Sequence, residues 1–275
     1  MLFRVTYLFI SILVFIFDQA CRSVLFAFRK SPAGLCVFIN YHTVNSANAH
    51  LFKKQLASLI NFALPLQSFS EQELPTTRYH FIITFDDAFK GFYENAFPIL
   101  LELKIPVLLF IPTGYMGRRS NWVDYGGDNK VGEDVLSEKE IHELVKSGLV
   151  QIGSHSVNHK DMVLLNDMEL TEELVNSKKT LETIVLKTID AISFPYGSFN
   201  QREVNAAERA GYKYMFSVTP QRISGRITPG LTGRVSVQPY DSKIEFLLKV
   251  YGAYRWIHTA SIVKKKLINL IGFPH

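Results

Sequence analysis

From residue 35 onward the chain alternates short apolar runs with longer amphipathic ones, and this rhythm limits the architectures open to it. The apolar runs are LCVFIN (35–40), HFIITF (80–85), VLLFIP (107–112), LVQIG (149–153), DAISF (190–194), YMFSV (214–218) and RVSV (234–237). Short continuous runs of this kind suit strands that are covered on both faces. Helical stretches lie between them, among them HLFKKQLASLINF, YENAFPILLELK, DMELTEELVNSKKTLETIVL and NQREVNAAERAG. SEKEIHELVKSG opens with Ser137 three residues before Glu140, a capping box, and stops at Gly148. Repetition of strand, helix and strand predicts an α/β fold with a parallel sheet and crossover helices. Seven such units exceed what a small doubly wound domain needs, and they fall one short of the eight-stranded barrel.

With 275 residues, 47% of them apolar and 13% aromatic, the chain has material for a full core, which excludes wholesale disorder. The net charge is +5, but no Arg/Lys-rich motif interleaved with aromatics suggests a nucleic-acid groove, so no nucleic-acid partner is expected. Two cysteines without a CxxC spacing give no disulfide framework.

The apolar run VTYLFISILVFIF (5–17) ends at Asp18, short of the ~20 residues a spanning helix needs. It has the length of a signal-peptide core, although Asp18 spoils the cleavage site before Cys21. The other readings are a helix packed on the domain and an uncleaved helix lying on a membrane surface, with Arg22, Arg29 and Lys30 toward anionic headgroups. Lys264, Lys265 and Lys266 give the C-terminus the same character. The expected division is an N-terminal apolar helix (1–30), a catalytic domain (31–245) and a basic amphipathic C-terminal helix (246–275). Membrane association is the preferred reading, with the side of the membrane open.

Ligands of parallel α/β folds gather at the carboxyl ends of the strands. The residues just after the predicted strands include Tyr41–His42, Asp86–Asp87, His155 with His159, and Pro195–Tyr196. Alone, Asp86–Asp87 also reads as an acidic helix cap, and His155 and His159 as two surface histidines. Together at one end of a sheet they suit a cation. If 155–159 form one helical turn, both imidazoles share a face, and with one Asp they make a three-ligand site with an open position. One acid would then bind the metal while the other remains a general base. The turn at Pro195–Gly197 would aim the Tyr196 backbone N–H at an oxyanion, and His42 is the histidine placed to protonate a leaving amine. Trp122 could meet a sugar ring or pack on the barrel rim, and Arg234 could approach a site carboxylate or cap a strand.

TFDD (84–87), HSVNH (155–159) and SFPYG (193–197) together resemble the three motifs of the polysaccharide deacetylase family, the carbohydrate esterases with a NodB-type domain. The resemblance implies a deformed (β/α)7 barrel with a divalent metal, usually zinc, on Asp87, His155 and His159. It implies Asp86 as catalytic base and the Tyr196 amide as oxyanion donor; Pro195, Trp122 and Arg234 are the residues expected near the substrate. Two departures stand out. Ser193 replaces an arginine common in the third motif, and the late Leu-x-x-His is absent. INYHTV (39–44) instead resembles the front motif of the family's circularly permuted branch, which makes His42 the acid. The expected reaction is N-deacetylation of N-acetylglucosamine units in a polysaccharide or oligosaccharide. The alternatives are deacylation of a lipid-linked sugar or an O-acetyl ester, and a non-catalytic carbohydrate-binding protein on the same scaffold.

Overall fold

The computed structural model describes residues 2–28, 33–60, 63–65, 72–75, 79–122 and 132–260. After α1 (Leu2–Ala27) come β1 (Leu35–Tyr41), α2 (Ala49–Ile60), β2 (Ala63–Pro65), β3 (Gln72–Glu73) and β4 (Tyr79–Phe85). Next are α3 (Phe97–Leu103), β5 (Val107–Ile111), α4 (Glu138–Lys146), β6 (Val150–Ser154), α5 (Asp167–Val185), β7 (Ala191–Ser193) and α6 (Gln201–Arg209). The chain continues through β8 (Tyr214–Ser217), β9 (Ile223–Ser224), β10 (Arg226–Ile227), β11 (Gly230–Ser236) and α7 (Lys243–Val250).

Strands β1, β4, β5, β6, β7, β8 and β11 pair in that order, all parallel, and β11 returns to β1. The ring therefore closes on seven strands, the same seven apolar runs that the sequence sets out. The short β2 and β9 pair with the outer parts of β4 and β1.

Alternation along each strand separates two cores. Cys36, Phe38, Ile82, Leu108, Phe110, Tyr214 and Phe216 fill the barrel, and Val37, Ile39, Ile83, Leu109 and Ile192 face the surrounding helices. A Cβ at Gly153 would lie 2.6 Å from the Phe110 ring, so the space of that side chain belongs to Phe110. The helices start where their sequences dictate. Ser137, Asn166 and Asn200 each form a complete capping box with the glutamate three residues on. The helix predicted over YENAFPILLELK has a π turn, Phe92–Ala96, before α3. Pro98 has no N–H to close a regular turn there, which accounts for the widening.

The expected C-terminal helix over 246–275 is not one element within the described residues. α7 ends at Val250, a 3₁₀ turn covers Ala253–Arg255, and helix resumes over 256–260. Lys264, Lys265 and Lys266, like Arg29 and Lys30, lie outside the described residues.

Candidate active site

Toward the carboxyl ends of the strands the inward-facing residues turn polar: Asn40 from β1, Thr84 from β4, Ser193 from β7 and Arg234 from β11, all buried. Asp86 follows β4 into this layer. Arg234 Nη1 and Nη2 each donate to one of its carboxylate oxygens at 2.7 Å. Asn40 Nδ2 donates to the same group at 3.1 Å. Arg234 also donates to Ser193 Oγ (2.7 Å), Asn40 Oδ1 (3.0 Å) and Thr84 Oγ1 (3.1 Å). Its guanidinium lies over the Phe110 and Phe216 rings, 5.1 and 5.8 Å from their centroids. Burial alone would raise the Asp86 pKa. The charge and hydrogen bonds of Arg234, helped by His155 and His42, overcome it and hold the carboxyl well below the usual carboxylate range.

Asp87 turns out of the strand with φ 69°, a left-handed conformation, and shares it with His159 at φ 51° and Tyr196 at φ 59°. Non-glycine residues in that region carry strain of about 1–3 kcal/mol each unless their surroundings hold them there. For His159 the holder is Glu173, a buried residue of α5. Glu173 Oε2 accepts from the Val157 and Asn158 N–H groups at 2.8 Å each, and Oε1 from Asn158 Nδ2 at 2.7 Å. The 155–159 segment is therefore an irregular loop with Ser156 and His159 at positive φ, not the helical turn the His-x-x-x-His spacing suggests. The imidazoles converge all the same, with His155 Nε2 3.6 Å and His159 Nε2 3.1 Å from Asp87 Oδ1.

His155 Nδ1 lies 2.8 Å from the Ser193 carbonyl. A proton there donates to that carbonyl and leaves the Nε2 lone pair facing Asp87. Burial lowers the His155 pKa to about 4, which keeps the ring neutral near pH 7. Asp87 Oδ1 is buried and, among the described residues, faces no polar group other than these two imidazole nitrogens. One donor atom from each of Asp87, His155 and His159 falls within 4.8 Å of the others. Two imidazole nitrogens and a buried carboxylate oxygen facing one point fit a divalent cation with N/O ligation.

Around this trio the remaining predicted residues take different places. His42 leaves β1 half-buried, close enough to contribute to the electrostatics of both acids. Tyr196, 46% exposed, sets its ring edge against His159 at 4.8 Å. A cleft of about 550 Å³ opens beside it, lined among others by Tyr115, Asn121, Asn158, His159, Lys160 and Tyr196.

Three substrate-side expectations change. Trp122 is buried and stacks on His159 at 4.0 Å with the planes 12° apart, so it backs a ligand instead of presenting a face to a sugar. Pro195 is buried beneath its turn. Arg234 does approach a site carboxylate, one of its two readings from the sequence, but it has no exposed surface and its guanidinium is committed to Asp86, so it makes no direct substrate contact. Sequence reasoning also missed Glu173 and Asn40. Asn40 ends an apolar run, a visible signal, whereas the role of Glu173 depends on where α5 packs.

The family model of the polysaccharide deacetylases matches residues 74–215, more than half of the chain. Poly-beta-1,6-N-acetyl-D-glucosamine N-deacetylase of Staphylococcus aureus (strain MSSA476) is 29% identical over 180 residues, 62% of this chain and 58% of that protein. The chain thus spans under two thirds of the length of that curated relative. Among solved structures, IcaB from Ammonifex degensii has a TM-score of 0.65 at 22% identity, covering 81% of this chain and 97% of that one. The Streptococcus pyogenes deacetylase PplD in complex with acetate has a TM-score of 0.63 at 23% identity, covering 80% and 99%. Both share the fold. His42 and Arg234 fall outside the segment the family model matches.

Proposed function

We propose that this chain, which belongs to the polysaccharide deacetylase family, hydrolyses the N-acetyl group of N-acetylglucosamine units in a poly- or oligosaccharide, with a divalent metal, zinc by its ligand set, on Asp87, His155 and His159. The observation that carries the reading is the buried Asp87 Oδ1 facing two imidazole nitrogens, one residue from a carboxylate that an arginine keeps ionised. The likeness to the staphylococcal deacetylase supports the choice of sugar. When bound, the cation would polarise the acetyl carbonyl and lower the pKa of water at the site.

The residues divide the rest of the work. Asp86, held ionised and oriented by Arg234 and Asn40, accepts the proton of the attacking water. Oxygen bonds to the acetyl carbon, and the Tyr196 N–H is the donor assigned to the negative charge that develops on the carbonyl oxygen. The C–N bond then breaks, His42 gives its proton to the leaving nitrogen, and acetate and a free amine result. The cleft beside His159 and Tyr196, with polar Asn121, Asn158 and Lys160 in its wall, has the hydrogen-bonding character a sugar requires.

Acetate release from N-acetylglucosamine oligomers, with and without chelator, tests this reading. Release should stop with chelator and return with Zn²⁺. His42→Ala should lower kcat by about 10²–10⁴-fold, the usual worth of a positioned acid, whereas near-normal turnover would remove His42 from its role. A folded, metal-loaded protein that releases no acetate from any oligomer would overturn the proposal in favour of a carbohydrate-binding protein.

A further inference from the structure

Helix α1 carries its polarity inverted relative to a helix that packs by its apolar stripe. Arg4, Ser11 and Asp18, seven residues apart, lie along one side and all turn to the domain. Arg4 pairs with Glu245 at 2.7 Å and Asp241 at 3.2 Å. Ser11 Oγ accepts from Trp256 Nε1 at 3.0 Å. Arg255 grips both Asp18 carboxylate oxygens at 2.7 Å, and Arg222 adds a third contact at 2.6 Å. The opposite side is left outside. Between residues 8 and 20 every exposed side chain is apolar: Phe9 at 61%, Leu13 at 51%, Ile16 at 57%, Phe17 at 67%, and Ala20. The most apolar 18-residue window within residues 4–27 has a mean hydropathy of 1.8, yet only 11% of that window is buried.

We propose that this outer face of α1 lies in the plane of a lipid bilayer, at the boundary of headgroups and acyl chains, and holds the domain on the membrane without spanning it. Continuous apolar surface of this extent is uncommon on a soluble monomer. A protein partner would be expected to meet hydrogen-bonding groups, roughly one per 100–200 Å² of interface, and the central stretch of this face offers none. Acyl chains require none. Charge fits the same occupant, because Arg4 keeps 56% of its side chain exposed at one end of the helix, Arg22 stands near the other, and the chain carries +5 overall. Anionic headgroups would be drawn to both ends. The anchor points fix the orientation. Arg4 and Asp18 are 14 residues apart, about 21 Å along the axis, and both are tied to the same domain. A helix upright in the bilayer would drag Asp18, Arg222 and Arg255 into hydrocarbon, where no water replaces a lost hydrogen bond.

The test uses the full chain with vesicles of phosphatidylcholine containing anionic phosphatidylglycerol. The wild type should float with the vesicles, and the Phe9→Ser/Phe17→Ser variant should partition at least about tenfold more weakly while hydrolysing soluble substrate unchanged. Single exposed cysteines (Phe9→Cys, Ile16→Cys, Val24→Cys) in a Cys21→Ser background, where the remaining Cys36 is buried in the barrel, labelled with an environment-sensitive dye, then report depth. Equal, shallow depths support the in-plane helix, and a deep position 16 between shallow 9 and 24 overturns it in favour of a span. Absence from vesicles, or a dimer that the double variant disperses, overturns the lipid reading itself. The flotation, depth and dimer outcomes do not depend on whether the active site deacetylates.

Discussion

An arginine with none of its surface in water has to be neutralised by something, and Arg234 is neutralised by Asp86. Once that pair forms, each member makes the burial of the other tolerable. Removing the cation leaves a buried carboxylate alone, at a cost of about 3–5 kcal/mol. Arg234→Gln should therefore lower the melting temperature, and in the fraction that folds it should lower kcat by about 10²-fold. The pH profile carries the specific signature. Arg234 holds the Asp86 pKa low against a burial effect that raises it. In its absence the main opposition to burial is gone, the carboxyl takes up its proton at a higher pH, and the acid limb of kcat/KM moves upward. An unshifted limb would mean that Arg234 is structural only. Trp122 invites a second measurement at this scale. His159 Nδ1 is buried with no hydrogen-bond partner, so its ring is oriented by Trp122 and Tyr196 rather than by a hydrogen bond. Trp122→Ala should weaken Zn²⁺ binding by about 10–100-fold in calorimetric titration, with Trp122→Phe recovering much of it. Neither role could be read from neighbours in sequence, because each depends on which strand closes the barrel and which loop folds back over His159.

Helix α1 shows at the scale of an element why sequence patterning informs and misleads together. Asp18, Gln19 and Arg22 look like breaks that shorten an apolar run, yet the helix passes through them to Ala27. The seven-residue register of Asp18 with Ser11 and Arg4 is the stronger signal, since it puts these three polar groups on one stripe, and reading it needs the arginines at 222 and 255 that are more than 200 positions away. The strands were plain for the opposite reason, since being covered on both faces makes each one a continuous apolar word. The docking of α1 has a definite pH dependence. Burial would raise the Asp18 pKa, but hydrogen bonds and charge from Arg255 and Arg222 lower it on balance. A lowered folded pKa means that the contribution is complete above the ordinary aspartate value of about 4 and is lost only as pH falls through the lower value. Hydrogen exchange over residues 8–20 should accordingly show equal protection at pH 5 and pH 8. Asp18→Asn should lose that protection at both pH values while the barrel strands keep theirs.

For the whole molecule, the barrel gathers inward-facing polar groups at one end. Inward residues near the carboxyl ends of four of the seven strands face one another, so Asn40, Thr84, Ser193 and Arg234 satisfy one another where isolated polar groups would be costly. The metal trio sits just beyond that layer and links the exit of β4, through Asp87, to the exit of β6, through His155 and His159. Folding and metal affinity are then coupled, since the unfolded chain has no such site. A ligand present at 100 times its Kd stabilises the folded state by about 2.7 kcal/mol. At roughly 2–4 °C per kcal/mol for a domain of this size, saturating Zn²⁺ should raise the melting temperature of metal-stripped protein by about 5–10 °C. His159→Ala should abolish the increment. It should also relieve the strain at φ 51° only in part, because alanine in that conformation is still a non-glycine residue. Equal Zn²⁺ increments in wild type and variant would show that the ion binds elsewhere and would separate the trio from the chemistry assigned to it.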